Sequence, residues 1–403
     1  MGYNKTISRL CYLSKNLYNQ ANYIIRQKYF NNEDIPGYSP LIKQFQVPSD
    51  NEEYNNFQKL PAQTAHWTIK TLRKGYSVYF KTLKDYNKHK DKYMGRPGLP
   101  RYKDKNGEFM LIFTNQQCRI EDNILIFPKI VNLKVKTRLN DIDLRAVRIV
   151  PAGTGYDIEI VYRKDMDEIN AIHERVIGID IGGRNTITIA DSIGNKPIAI
   201  KGGALNSINH FFNKRYSSLR SISDKQNMGK HLTKRERKLF FKRKMKIRDI
   251  MHKISVFVVD YAVSNNIDTI VIGHNEGWKQ NSNMGKKGNQ KFHYMPFNQL
   301  IEQIRYKAKE YGIDTIVIEE SYTSKCSFLD NETIEKHDNY KGKRISRGIF
   351  RSSNGTLINA DVNASYNMMK KALPKLFKGG IQDIVLHPES LTVGRMITLK
   401  SYS

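Results

Sequence analysis

The stretch V-I-G-I-D-I-G-G-R-N-T-I-T-I-A-D, from Val176 to Asp191, decides how the rest of this chain is read. An apolar, β-rich run ends at Asp180, crosses Gly182 and Gly183, and restarts as an alternating run at Asn185. Two neighbouring strands of one sheet, with a carboxylate near their shared end, have this pattern. Two later stretches deliver acids in the same way: I-V-I-E-E (Ile316 to Glu320) and N-A-D-V-N-A-S (Asn359 to Ser365). Three carboxylates from distant stretches, converging on one sheet edge, would hold divalent metal ions for phosphodiester hydrolysis. Taken singly, each is as easily a solvated acid at a strand end.

Outward from this stretch, Thr186 to Ala190 and Pro197 to Lys201 complete a three-run meander. A helical segment follows, then helices alternating with the single strands Thr269 to Ile272 and Thr315 to Ile318. An RNase H-like α/β sheet looks like this in sequence. Between them, Lys230 to Arg248 holds ten Lys and Arg against one acid, Glu236, and runs into the stripe Ile247, Ile250, Met251, Ile254, Phe257, Val258 and Tyr261. So dense a basic run repels itself without a polyanion. The expectation is one long helix, its first half laid across a nucleic-acid backbone through Lys234, Arg235, Arg237, Lys238, Lys242, Arg243 and Lys244, its second half packed on the sheet.

Upstream, Ile7 to Phe30 keeps a helical beat in Ile7, Leu10, Leu17, Ala21, Ile24 and Ile25, and a segment with Pro36, Gly37, Pro40 and Pro48 breaks it. A second helix starts near Pro61, with Ala65, Ile69, Leu72, Tyr76, Tyr79 and Leu83 on one side. Its Lys70, Arg73, Lys74, Lys81 and Lys84 form a solvated face or a backbone-binding one. The loop R-P-G-L-P-R-Y-K supplies Arg96, Arg101 and Lys103 as further nucleic-acid contacts on a stretch stiffened by two prolines. Five strand-like runs then follow at short spacing, Met110 to Thr114, Ile124 to Phe127, Leu133 to Thr137, Val147 to Val150 and Tyr156 to Tyr162, and suggest a small antiparallel barrel.

The totals agree with a polyanionic partner. The 403 residues carry 67 Lys and Arg against 39 Asp and Glu, a formal charge of +28. No run of about 18 apolar residues and no signal peptide is found, so a cytoplasmic protein without a membrane partner is expected. Cys11, Cys118 and Cys326 are odd in number and far apart, which argues against a disulfide framework.

Taken together, the motifs resemble the TnpB (OrfB) family of insertion sequences, RNA-guided nucleases related to the type V CRISPR effectors. The matching pieces, in family order, are S-K-N-L-Y-N-Q-A (Ser14 to Ala21), L-P-R-Y-K (Leu99 to Lys103), G-I-D-I-G (Gly178 to Gly182), Y-T-S-K-C-S (Tyr322 to Ser327) and N-A-D-V-N-A-S-Y-N (Asn359 to Asn367). The fold class implied is α/β plus β-barrel. A wedge-type barrel lobe, residues 1–170, carries an inserted helical recognition bundle at about 5–105. A RuvC-like nuclease domain, residues 171–403, carries a basic helical insertion at about 205–265 and a small target-loading subdomain at about 322–358. The resemblance also implies a prokaryotic, nucleoid-associated protein, an omega-type guide RNA copied from the transposon end, a double-stranded target DNA, and products with a 5′ phosphate and a 3′ hydroxyl.

Two departures from the family pattern carry expectations of their own. The second catalytic acid usually closes the strand before the one bearing the T-S motif, but that place reads I-V-I-G-H-N, with Gly273 where the Glu should stand. A relocated Glu from the next strand is the replacement; successive residues face opposite sides, so only one of Glu319 and Glu320 points at the site. Glu320 is favoured, with Glu319 or Glu276 as fallbacks. Asp180, Glu320 and Asp361 would then hold a two-Mg²⁺ site. Asn363 would orient a water there or cap a helix.

The second departure concerns zinc. Of the two C-x-x-C pairs of the relatives only Cys326 remains, and one thiol cannot close a tetrahedral site. No zinc is expected, with the subdomain packed through Phe328, Leu329, Ile349 and Phe350 and its basic run Lys341 to Arg351 left for backbone contact. The chain opens almost directly in its first helix, so a leading barrel strand is expected to be missing or very short. Two other readings remain: an RNA-guided DNA-binding repressor disabled by Gly273, and a DNA-joining transposase on the same kind of sheet.

Overall fold

The computed structural model describes residues 2–51, 54–166, 168–226, 229, 232–274, 295–377 and 384–400, the last four of these as backbone only. Glu276, and Lys230 at the head of the basic run, lie outside the described residues. The chain divides into two compact units, Met1–Asp165 and Met166–Ser403.

In the first unit, Asn4 caps helix α1 (Lys5–Phe30) by accepting a hydrogen bond from the Ile7 N–H. Helices α2 (Tyr38–Gln46) and α3 (Ala62–Lys88) follow. The predicted stripes meet: Ile7, Leu10, Leu17, Ala21 and Ile25 share one core with Ala65, Ile69, Leu72 and Tyr76. Six strands come after the helices, β1 (Leu111–Thr114), β2 (Arg119–Glu121), β3 (Ile124–Ile126), β4 (Lys134–Lys136), β5 (Asp143–Ala152) and β6 (Gly155–Arg163). No strand precedes α1 among the described residues.

The strands expected to make a small barrel are six, and no single closed ladder joins them among the described residues. Hydrogen bonding divides the strands into two three-stranded antiparallel sheets, β1-β5-β6 and β2-β3-β4. Strands of three residues, turned by Asp122 and Asn123 at positive φ, pair only with their sequence neighbours. R-I-E at Arg119–Glu121 has one apolar residue, too little to register as a strand run. Apolar residues of both sheets, among them Phe113, Leu125, Phe127 and Ile149, pack into the core of the helices.

The second unit is built on one six-stranded sheet. The meander β7 (Val176–Ile181), β8 (Asn185–Asp191) and β9 (Ile198–Lys201) is antiparallel. Strand β10 (Thr269–Gly273) joins β7 in parallel, and β11 (Asp314–Ile318) joins β10 in parallel. A short β15 (Glu389–Leu391), not anticipated from sequence, adds to β9, giving the order β11-β10-β7-β8-β9-β15. Strands β12 (Lys343–Ser346), β13 (Ile349–Arg351) and β14 (Leu357–Asn359) form a separate small sheet.

Both faces of the large sheet are covered, which is why β8 and β10 are buried along their whole length. One face carries Ile177, Ile179, Ile270 and Ile272 against helix α5 (Lys234–Ser264) and helix α6 (Phe297–Lys309). The other carries Val176, Ala190 and Val271 against helix α7 (Ala360–Ala372) through Val362, Met368 and Met369. Helix α4 (Gly203–Lys225) pairs with the first half of α5, and α8 (Val393–Lys400) ends the described chain. Strand alternation therefore puts Asp180, two residues beyond Gly178 on the α7 face, at the end of the buried strand.

Candidate active site

Asp180 leaves the end of β7, half-buried, opposite Thr188 of β8. Its carboxyl is held well above the usual carboxylate range, by enclosure first and then by the negative charges of Asp361 and Glu320, with Arg344 pulling the other way. Asp361 and Glu320 thus both lie within electrostatic reach of Asp180. Glu320 is also raised by burial.

The choice between Glu319 and Glu320 is geometric. Glu319 turns outward, exposed; its carboxylate accepts from the Ser321 hydroxyl and pairs with Lys371 at 3.8 Å. Glu320 turns inward. A Cβ built on Gly273 would lie 3.2 Å from the Cβ of Glu320 and 2.5 Å from Cε of Met368, so a side chain at 273 and the one at 320 compete for the same space. Gly273 leaves room for Met368 and for the Cβ of Glu320.

Asp361 sits in the first turn of α7, where the Asn359 side chain caps the helix by accepting from the N–H groups of Asp361 and Val362. Its Oδ2 accepts from Asn185 Nδ2 at 2.8 Å, and Arg344 stands 3.8 Å from Oδ1. The Asn185 amide oxygen is buried and has no partner among the described residues. Neither Asn185 nor Arg344 was singled out from sequence; the R-N dipeptide after the double glycine was the only signal for the first.

Asn363 does something other than expected. Fully buried, it accepts from the Phe328 N–H at 3.0 Å and donates to the Cys326 carbonyl at 2.9 Å, so it moors the T-S loop to α7, whose cap is Asn359. Asn367 donates to the carbonyls of Thr323 and Cys326 from the next turn. In the small subdomain the buried Glu332 accepts from the N–H groups of Ser327 and Lys341, both at 2.7–2.8 Å. Asp330 accepts from the Ser353 N–H at 2.9 Å. Phe328 and Phe350 form its core as expected, and Leu329 packs alongside. Ile349 is corrected: it is 37% exposed and lines a cleft, because it shares the outward face of β13 with Arg351.

That cleft, about 360 Å³, opens beside Asp361 and is lined by Arg184, Lys201, Arg344 and Arg347 among others. Arg184, Lys201 and Arg347 form no ion pair among the described residues. Cations gathered around one acid in a partly enclosed space repel one another, and a phosphodiester strand relieves that repulsion.

Among the described residues, no three acids, histidines or cysteines stand close enough as they are to share one ion. Asn185 donates to Oδ2 of Asp361, and Arg344 stands 3.8 Å from Oδ1. The donor set nevertheless fits a hard divalent cation: three carboxylates with oxygen donors only, whose repulsion such an ion would cancel. This has a consequence for stability. Because the folded protein disfavours ionised Asp180, the fold is penalised above the ordinary carboxylate pKa and freed of the penalty below it. Asp180→Asn should therefore melt higher than the parent protein in EDTA at pH 7 to 8, with the gain vanishing as pH falls toward 4. Thermal melting across that range checks this; a variant melting lower at every pH would contradict it.

The proposed nucleic-acid contacts divide. Arg96, Arg101, Lys234, Arg235, Arg237, Lys238, Lys242 and Lys244 are exposed. Arg243 is half-buried: it stacks on the Phe212 ring, 5.0 Å from its centroid, and donates from Nε to Asn209 at 2.8 Å, tying α4 to α5. Lys103 is likewise drawn inward over the rings of Tyr18 and Phe109. Glu236, the lone acid of the basic run, is fully buried and closes a capping box with Thr233. The T-K-R-E spacing carried that signal in the sequence.

Comparison with known proteins adds the following. Residues 159–279 match the family profile OrfB_IS605, described as a probable transposase, and residues 297–368 match the Cas12f1-like TNB domain. A TnpB-like protein, ORF457, of Acidianus two-tailed virus is 23% identical over 92% of this chain and 84% of its own length. A second, the TnpB-like protein MJ0751 of Methanocaldococcus jannaschii, is 26% identical over 49% of this chain and 69% of its own length. Among solved structures, the cryo-EM structure of a Cas12f1-sgRNA-target DNA complex aligns with 91% of this chain and 94% of that one, at 15% identity and a TM-score of 0.37. No helix among the described residues is long and apolar enough to cross a membrane.

Proposed function

This chain belongs to the TnpB family, and from that membership we propose that it is an RNA-guided DNA endonuclease of a transposable element, cutting target DNA with Mg²⁺-dependent RuvC-type chemistry. One observation carries the reading: Asp180, Glu320 and Asp361, 181 positions apart at the extremes, face one another closely enough that each of the other two opposes ionisation of the first. The strand order, an antiparallel meander followed by two parallel strands on its inner edge, supports an RNase H-like sheet beneath them.

Asp180, Glu320 and Asp361 would hold Mg²⁺, which when bound supplies activation of water and stabilisation of charge on the leaving oxygen. The remaining work falls to the chain itself. Asn185 and the Asn359 cap fix the Asp361 carboxylate at the helix start. Arg184, Lys201, Arg344 and Arg347 seat the phosphates of the strand and orient the scissile one beside the acids. The exposed lysines and arginines of α5 and the loop Arg96–Lys103 grip the guide RNA and the target duplex, leaving sequence choice to base pairing.

The test is plasmid cleavage by the purified protein with its copurifying RNA, in Mg²⁺ or EDTA. Linear product is expected in Mg²⁺ alone, and none from Asp180→Ala or Asp361→Ala. Guided binding without cleavage under any divalent ion would replace this reading with the repressor. Neither binding nor cleavage would end both.

A further inference from the structure

Glu320 stands in a turn whose backbone is fully engaged. From Ile318 to Tyr322 every carbonyl has a partner: Ile318 accepts from the His274 N–H at 2.8 Å, and Tyr322 from the Lys325 and Cys326 N–H groups, each at 3.0 Å. The Glu320 carbonyl accepts from the hydroxyl of the buried Thr323 at 2.8 Å and from its N–H at 3.2 Å. The remaining two share one donor. From the last turn of α7, Lys371 Nζ donates to the Glu319 carbonyl at 2.7 Å and to the Ser321 carbonyl at 3.2 Å.

These bonds fix a direction. The Glu319 carbonyl belongs to the peptide plane before Glu320, and the Glu320 carbonyl to the plane after it. With both planes held, the line along which the Glu320 Cβ leaves the chain is held as well. The turn needs such holding, because Tyr322 stands at φ +69°, a left-handed backbone that an aromatic residue keeps only when its surroundings impose it. An ammonium has three donors, so Lys371 can serve both carbonyls while standing 3.8 Å from the Glu319 carboxylate.

We propose that Lys371 is a positioning residue for Glu320, acting through the carbonyls of Glu319 and Ser321. Helix α7 thereby sets two acids at once, Asp361 in its first turn and Glu320 from its last. The inference rests on the reading of Glu320 as a metal-holding acid. A carboxylate left to turn away from the site holds a cation less tightly, because only the fraction of molecules with the carboxylate in place is competent to bind. Groups that orient a metal's ligands from behind are worth about 10- to 100-fold in affinity or activity.

Two measurements test it. The full-length protein freed of RNA is titrated with Mn²⁺, the free ion being followed by its EPR signal, and the protein with its copurifying RNA is assayed for cleavage across Mg²⁺ concentrations. Lys371→Met, of similar length but without donors, should weaken Mn²⁺ binding and raise the Mg²⁺ requirement about 10-fold or more, with guided DNA binding unchanged. Lys371→Arg, which keeps a cation and its donors, should recover most of that loss. Glu319→Gln removes the 3.8 Å contact and leaves both carbonyls in place, so it should match the parent protein. In a Glu320→Gln background, Lys371→Met should bring no further loss, since the lysine then has no carboxylate to aim; a lysine that only supported the fold would subtract the same amount from either background. Additive losses would overturn the proposal. So would a Lys371→Met protein that keeps the parent's Mn²⁺ affinity and Mg²⁺ requirement while Glu320→Gln loses both, and the reading of Glu320 would then stand without it. Glu320→Gln binding Mn²⁺ as tightly as the parent protein would instead overturn that reading, and the proposal with it.

Discussion

Glu320→Gln should cut target DNA roughly 100-fold or more slowly than the parent protein, several kcal/mol of transition-state charge stabilisation being at stake when a metal-holding carboxylate becomes an amide. Glu319→Gln should stay within about twofold, as expected for an exposed acid away from the chemistry. The two residues are adjacent, so a general effect on the loop would lower both. Their environments are opposite: Glu319 is taken up by Ser321 and Lys371, Glu320 by the space against Gly273. Cleavage rates at saturating guide RNA decide it, with guided binding measured alongside to show that the complex still forms. Equal loss from both variants would remove Glu320 from the site.

The same space explains why an acid cannot simply be put back at 273. A Cβ there would press to 2.5 Å on Cε and 2.6 Å on Sδ of Met368, which is itself 1% exposed in the packed core under α7. Met368 would have to swing away before any carboxylate at 273 found room, and the Cβ of Glu320 would stand 3.2 Å from the new one.

Gly178→Ala should be the most destabilising single-methyl change in the second unit. The new Cβ would fall 2.3 Å from the Ser365 carbonyl oxygen and 2.9 Å from Cγ of Met369. Backbone cannot swing aside as a side chain can. Helix α7 would have to lift from β7, losing the hydrogen bond from the Ser365 hydroxyl to the Thr188 carbonyl. Overpacking of this kind costs about 1–3 kcal/mol or more, a loss of roughly 2–12 °C in melting temperature for a unit of this size. Because Asp361 opens the same helix, cleavage should fall too. Gly203→Ala, at a helical position with nothing within 4 Å of the added carbon, is the control and should melt within error of the parent protein or slightly above it. A Gly178→Ala protein as stable as that control would mean the helix does not sit as close to the strand as described.

Much of this site was legible in the chain itself. Asp180 and Asp361 stand at the margins of apolar runs, and burial of alternate residues forces such margins to the ends of strands and helices. The glycine at 273 was visible, and so was the E-E pair after the next strand from which one acid turns inward. Five short runs do not give pairing: six strands form, hydrogen-bonded as two sheets. In a run of cations every member looks alike, and only the position of Phe212 on the facing helix shows that Arg243 is turned inward.

The sequence by itself determined the long helices, the main strands of the large sheet and where the acids stand along them, because apolar periodicity is set by neighbours two residues away in a strand and three or four in a helix. Tertiary structure alone decided which glutamate turns inward, since that depends on what lies across a strand boundary at Gly273 and Met368. It alone gathered Arg184, Lys201, Arg344 and Arg347 around Asp361. Electrostatic effects follow distance through space, and residues more than 150 positions apart in the chain become neighbours only when the sheet and the small hairpin have folded.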